Sequence, residues 1–221
     1  EHLDPAEFNV AKMITETYLD LDQLVQFLTE TKKFKPNNDD KLQKLIRLLK
    51  SKDLADKKVV IFTEFAETAR YLKQQLVDAG IDEVFELDSG VKANRKRVLT
   101  RFAPYYNRSS TEQLRLIEDD EIRVLIATDI LAEGLNLQDC CHLINYDIHW
   151  NPVRLMQRIG RIDRRLNPEI EEQILADHPE WGERGVVRYW NFLPPKELGP
   201  LLSLYQKVTG KVLLISEALG I

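Results

Sequence analysis

Apolar positions follow two different rhythms along this chain. In the first forty residues the rhythm is helical: Ile14, Tyr18, Leu21, Val25 and Leu28 recur at steps of four and three, which places them on one stripe. Asp4-Pro5-Ala6-Glu7 predicts the start of that helix, with Asp4 as cap, Pro5 at the first helical position and Glu7 completing a capping box. The stripe needs cover, and at this length packing within the chain is expected rather than a coiled coil. Lys35-Pro36-Asn37-Asn38 breaks the pattern, and Leu42, Leu45, Ile46 and Leu49 begin a second helix after Asp39-Asp40.

From Lys58 the rhythm changes. Val59-Val60-Ile61-Phe62 is a short, wholly apolar, β-rich run, and Ala69, Leu72 and Leu76 follow at helical spacing up to Gly80. The alternation continues with a strand near Val84 to Leu87, a helix near Arg95 to Phe102, a strand at Val124 to Ala127, a strand at Leu143 to Tyr146 and a helix from Pro152. Val186 to Leu193 predicts a further strand, Pro194-Pro195 a break, and Leu198 to Val208 a helix. Fully apolar strands alternating with helices predict an α/β fold with a parallel sheet covered on both faces. Residues 1–38 are expected to form a helical extension or linker and residues 39–221 the main domain. Pro104 to Asp120, rich in turn residues, is expected to be a mostly exposed connection.

With 221 residues and 43% apolar content, the chain can bury one substantial core. No apolar run is long enough to span a bilayer, and the start Glu1-His2-Leu3-Asp4 has no secretory pattern. A membrane partner is not expected. Beginning at Glu rather than Met, the chain is expected to be part of a longer polypeptide. The cysteines are the adjacent pair Cys140-Cys141, which suits neither a disulfide framework nor a zinc site and fits a reducing, cytoplasmic setting. His2, His142, His149 and His178 lack metal-ligand spacing, so no protein-bound metal is expected.

The 31 basic and 36 acidic residues leave a net charge of −5, which argues against coating nucleic acid by bulk electrostatics. Charge is concentrated locally instead. Arg154, Arg158, Arg161, Arg164 and Arg165 against Asp163 give 5 − 1 = +4 within twelve residues.

A parallel α/β sheet invites a search for phosphate-binding glycines. No two of the nine glycines are one residue apart, which excludes G-x-G-x-x-G, and Gly210-Lys211 has neither the upstream glycine nor the following hydroxyl of a P-loop. The chain holds no triphosphate site of its own by these signatures. The segment Thr128 to Leu137 lies at the carboxyl end of a predicted strand, where open α/β sheets bind ligands. It combines hydroxyl, carboxylate and Gly134, groups suited to phosphates and sugars, although an ordinary strand-to-helix loop has the same composition. Gln157, Arg161 and Arg164 follow at i, i+4 and i+7, one face of a predicted helix, with Gly160 leaving room for a close neighbour. Two planar guanidiniums suit a developing phosphoryl charge. A solvated basic helix is the plain alternative.

Taken together, these motifs resemble the second RecA-like lobe of superfamily 2 nucleic-acid translocases, and within them the SNF2-type ATPases of the bacterial RapA-like branch. Val59 to Phe65 resembles motif IV, Thr128 to Gln138 motif V, Tyr146 to Pro152 the lead into motif VI, and Gln157 to Arg164 motif VI itself. The resemblance implies a RecA-like fold and a helicase C-terminal lobe, with an insertion at about 167–185. It implies half of an ATPase site: ATP with Mg2+ bound mainly by a first lobe of the same polypeptide, with this lobe inactive alone. Carried onto matching positions, Arg161 and Arg164 would contact the γ-phosphate and Gln157 would order them. Gly134, Asn136 and Gly160 would approach the nucleotide, while Thr63, Glu64 and Thr128 would face nucleic acid, expected to be double-stranded DNA. An RNA helicase lobe and a non-enzymatic scaffold that keeps the lobe remain open. The acidic stretch Pro168 to Gly185 departs from the family pattern and is expected to be surface elaboration or a partner patch.

Overall fold

The computed structural model describes residues 9–87, 95–129, 136–149, 151–164, 166–182 and 184–193. The expected cap at Asp4 and the helix at Leu198 to Val208 lie outside them. The chain divides into two compact units, residues 1–44 and 45–221.

In the first unit, α1 (Val10–Thr31) starts at Asn9, whose side chain accepts a hydrogen bond from Lys12 N at 3.0 Å. None of its residues is buried, and within this unit the stripe from Ile14 to Leu28 has no cover. Pro36–Asn38 forms a single 3-10 turn. Asp39 then caps α2 (Asp40–Leu49) by accepting from Leu42 N.

The second unit is a five-stranded sheet in the order β2-β3-β1-β4-β5, every pair parallel. The strands are β1 (Val59–Thr63), β2 (Val84–Leu87), β3 (Val124–Thr128), β4 (His142–Asn145) and β5 (Arg188–Asn191). All residues of the central β1 and its neighbour β3 are buried, as their unbroken apolar runs require. α3 (Ala66–Asp78) packs against β1, β2 and β3 through Ala69, Leu72 and Leu76, and ends at Gly80, whose φ of 73° suits glycine. A core formed by Val60, Phe62, Leu125 and Leu143 continues through Val98 and Phe102 of α4 (Arg95–Phe102) and Ile162.

Pro104 to Asp120 is not the exposed connection expected. It contains a 3-10 turn at Tyr105–Asn107 and α5 (Thr111–Leu116), with Tyr105, Leu114 and Asp119 buried. The helix is less than two turns long, too short for its periodicity to stand out. Two further helices follow β4: α6 (Pro152–Ile159) and, within the stretch read as an insertion, α7 (Pro168–Asp177). No helix among the described residues is long and apolar enough to cross a membrane.

Candidate functional site

Because every strand runs the same way, Thr63, Thr128 and Asn145 emerge at one edge of the sheet. Thr63 and Thr128 are direct register partners, and Asn145 lies across from Phe62. This edge carries Thr63 and Thr128, two of the residues singled out by the sequence, with Glu64 just beyond β1.

The organising group here is Arg158. Asn151 caps α6 by accepting from Val153 N at 3.0 Å, and Pro152 fills the first helical position, where no N–H is needed. Leu155 and Arg158, three residues apart, then share the buried stripe of the helix. Arg158 is 1% exposed. Its Nε and Nη2 donate to both carboxylate oxygens of Asp129, just past β3, at 2.6 and 2.7 Å. Its Nη1 donates to Asn145 Oδ1 and to the carbonyl of Asp147, both at 2.8 Å. The guanidinium also lies 5.3 Å from the Phe62 ring centroid. One side chain thus ties the ends of β1, β3 and β4 to α6, and only a planar, multiply donating cation can do so.

The network extends in two directions. Asn145 Nδ2 donates to Asn191 Oδ1 of β5 at 2.8 Å. Asp147 Oδ2 accepts from Thr63 Oγ1 at 2.5 Å and from Glu64 N at 3.2 Å. Thr63 is fully enclosed, so its hydroxyl holds Asp147, while the Glu64 side chain is exposed beside it. Thr128 is buried at the end of β3.

Gln157 and Arg161 line a polar cavity of about 250 Å³ with Asp129, Asn151, Arg154 and Arg158. Three arginines against one carboxylate, itself engaged by Arg158, make it suited to an anion. Arg164 is not on its wall. The helix ends at Ile159, and tight turns carry the chain on, with Arg161 N donating to Arg158 O and Ile162 N to Ile159 O. Helical spacing therefore does not place Arg164 on the face of Gln157. Arg164 is exposed, its Nε donating to Gly160 O at 3.3 Å. A Cβ on Gly160 would meet only carbonyl oxygens of its own helix, at 3.4 Å or more, which leaves its outer side open. Asn136 is not among the residues lining the cavity, and its Nδ2 donates to Tyr106 O at 3.3 Å. Gly134 and Arg165 lie outside the described residues.

The sequence reading missed the buried role of Arg158, which it counted with the surface charges. The clue was present in the steps of three and four from Leu155 through Arg158 to Ile162, all three buried. Among the described residues, no group of three or more His, Cys, Asp and Glu side chains gathers as for a metal.

Residues 40–165 match the family described as the helicase conserved C-terminal domain. An uncharacterized ATP-dependent helicase of Bacillus subtilis, YqhH, is 41% identical over 109 residues, 49% of this chain and 17% of that protein. The putative ATP-dependent DNA helicase fml2 of Schizosaccharomyces pombe is 28% identical over 77% of this chain and 22% of its own length. The RNA polymerase-associated protein RapA of Yersinia enterocolitica is 30% identical over 61% of this chain and 13% of its own. The chain therefore spans less than a quarter of each of these relatives. In fold it is similar to the C-terminal domain of the DEAD-box protein Dbp5, with a TM-score of 0.50 and 24% identity over 79% of this chain and 81% of that one.

Proposed function

From the premise that this chain belongs to the helicase conserved C-terminal domain family, we propose that it is the second motor lobe of an SNF2-type, DNA-stimulated ATPase. The first lobe, with its P-loop, sits on the same polypeptide and holds most of ATP and its Mg2+. This lobe presents arginines to the phosphates across the cleft. The observation that carries the reading is the Arg158–Asp129 pair, which fixes the end of β3 and the anion-suited cavity of Gln157 and Arg161 as one rigid piece.

In that arrangement Arg161 and Arg164 stabilise charge that develops on the γ-phosphate, and Gln157 orders Arg161. An arginine donated in this way contributes about 10³ to 10⁵ in rate. By the family resemblance, Gly134, Asn136 and Gly160 are assigned to the nucleotide's approach. Thr128 and the Thr63–Glu64 turn face duplex DNA, with Thr63 acting through the Asp147 it holds rather than by direct touch. Both cysteines are free, which fits a cytoplasmic protein.

The test is ATP hydrolysis by the full-length polypeptide with duplex DNA, single-stranded DNA or RNA added in turn at a stated salt concentration. Duplex DNA is expected to stimulate most, and Arg164→Ala to abolish that stimulation while nucleotide binding persists. Near-normal turnover by Arg164→Ala would remove the assigned role. Stimulation by RNA alone would favour an RNA helicase lobe, and no stimulation by any polymer a scaffold.

A further inference from the structure

The segment after motif VI is bonded to the 3-10 turn at Tyr105–Asn107 and to the loop before β4. Asn167, three residues past Arg164, caps α7 by accepting from Glu169 N at 3.0 Å. Its own N–H donates to the hydroxyl of Tyr106 at 2.9 Å, and that hydroxyl donates to Glu171 Oε1 at 2.9 Å. The backbone of Tyr106 is held as firmly. Its N–H donates to Asp139 Oδ1 at 3.0 Å, beside Tyr105 N on Asp139 Oδ2 at 2.9 Å, and its carbonyl accepts from Asn136 Nδ2. Asn107 Nδ2 returns a bond to Asn136 O at 3.0 Å.

Arg184 closes the circuit. Buried to 5% side-chain exposure, it donates to both oxygens of Glu171, at 2.6 and 3.2 Å, and to the carbonyls of Gln138 and Asp139 at 2.6 and 2.7 Å. The Tyr105 hydroxyl donates to Asp177 Oδ2 at the far end of α7. Tyr106 thus bonds both to the Asn136–Asp139 segment, where motif V ends, and to Asn167 and Glu171 beyond motif VI.

We infer that Tyr106 is a positioning residue: its hydroxyl, held between Asn167 N and Glu171, couples the end of motif V to the placement of Arg164, so that polymer contact and γ-phosphate contact move together. This rests on the motor reading above. The hydroxyl is a coupling point because it serves two partners at once. Removing it strands the Asn167 N–H and takes one donor from Glu171, which keeps Arg184, while the ring and both backbone bonds stay.

The experiment is steady-state ATP hydrolysis by the full-length polypeptide carrying Tyr106→Phe, with Glu171→Gln as a second variant that keeps shape and removes charge. Losing one hydrogen bond to a charged group in the transition-state arrangement corresponds to a drop of about tenfold in polymer-stimulated kcat. The expected result is that drop in Tyr106→Phe and a smaller one in Glu171→Gln, with KM for ATP within about twofold of the parent, since binding lies mainly with the other lobe. A purely structural role would instead lower the thermal midpoint and leave kcat per folded molecule unchanged, which overturns the proposal. Parent protein and Arg164→Ala are run alongside. If both behave as expected and Tyr106→Phe matches the parent, the coupling alone fails; if the parent is not stimulated by any polymer, the motor reading and the coupling fall together.

Discussion

Arg158 and Asp129 are joined by two parallel hydrogen bonds of 2.6 and 2.7 Å, with the guanidinium 1% exposed. A buried pair of this kind is costly to break, because removing one partner leaves the other charged and without compensation.

Arg158→Met is accordingly expected to destabilise this chain by about 3 to 5 kcal/mol, since it strands Asp129 and frees Asn145 Oδ1 and the Asp147 carbonyl. Arg158→Lys recovers only part of that, because one ammonium cannot span both oxygens of Asp129 and still reach β4. Urea denaturation of the three proteins measures both differences. A loss below about 1 kcal/mol in Arg158→Met would show the pair to be incidental.

Thr63→Val tests the other arm of the same network. It deletes the hydroxyl on Asp147 Oδ2 and leaves the backbone bond from Glu64 N. About 1 kcal/mol of ordering is lost, so the duplex concentration giving half-maximal ATPase stimulation should rise about fivefold, with KM for ATP unchanged. An unchanged duplex requirement would detach this turn from polymer binding.

Much of this organisation was legible beforehand, for identifiable reasons. β1 and β3 are uniform apolar runs because both faces are covered, and the bounds of β2 and α4 follow from sharp changes of pattern at Val84 and Arg95. The chemistry at the edge was legible as residue types, not as partners. Arg158 has four arginine neighbours in sequence, and charge alone cannot distinguish the one that turns inward. Arg161 and Arg164 were placed by helical spacing across a glycine where the helix in fact stops. Tyr105, Tyr106 and Arg184 gave no signal, because most of their partners lie 13 to 72 residues away, several of them backbone atoms, and no local pattern records such pairings.

His142, at the start of β4, supplies a pH dependence. Burial, reinforced by Arg188, Lys57 and Arg184, lowers its pKa to about 4, while the ring stacks on Trp190 at 6.1 Å between centroids. The unfolded chain therefore takes up this proton first as pH falls. Stability from the neutral ring is full above about pH 6.5 and is lost progressively towards pH 4. His142→Phe keeps the stack and removes the titration. Between pH 7.5 and pH 5 the parent should lose roughly 1 kcal/mol more than this variant, allowing for the partial exposure of the ring. Parallel stability curves in thermal melts would exclude the assignment.

The docking of α7 also has an optical side. Trp181 stacks face to face on His178, with centroids 4.1 Å apart and planes 7° from parallel, while Lys58 Nζ lies 5.4 Å from the indole centroid. Indole emission responds strongly to a stacked imidazole and to a nearby ammonium. Release of this segment from Lys58 would therefore change the colour and brightness of one native tryptophan, and the protein carries its own unlabelled gauge of whether that clasp is open or shut.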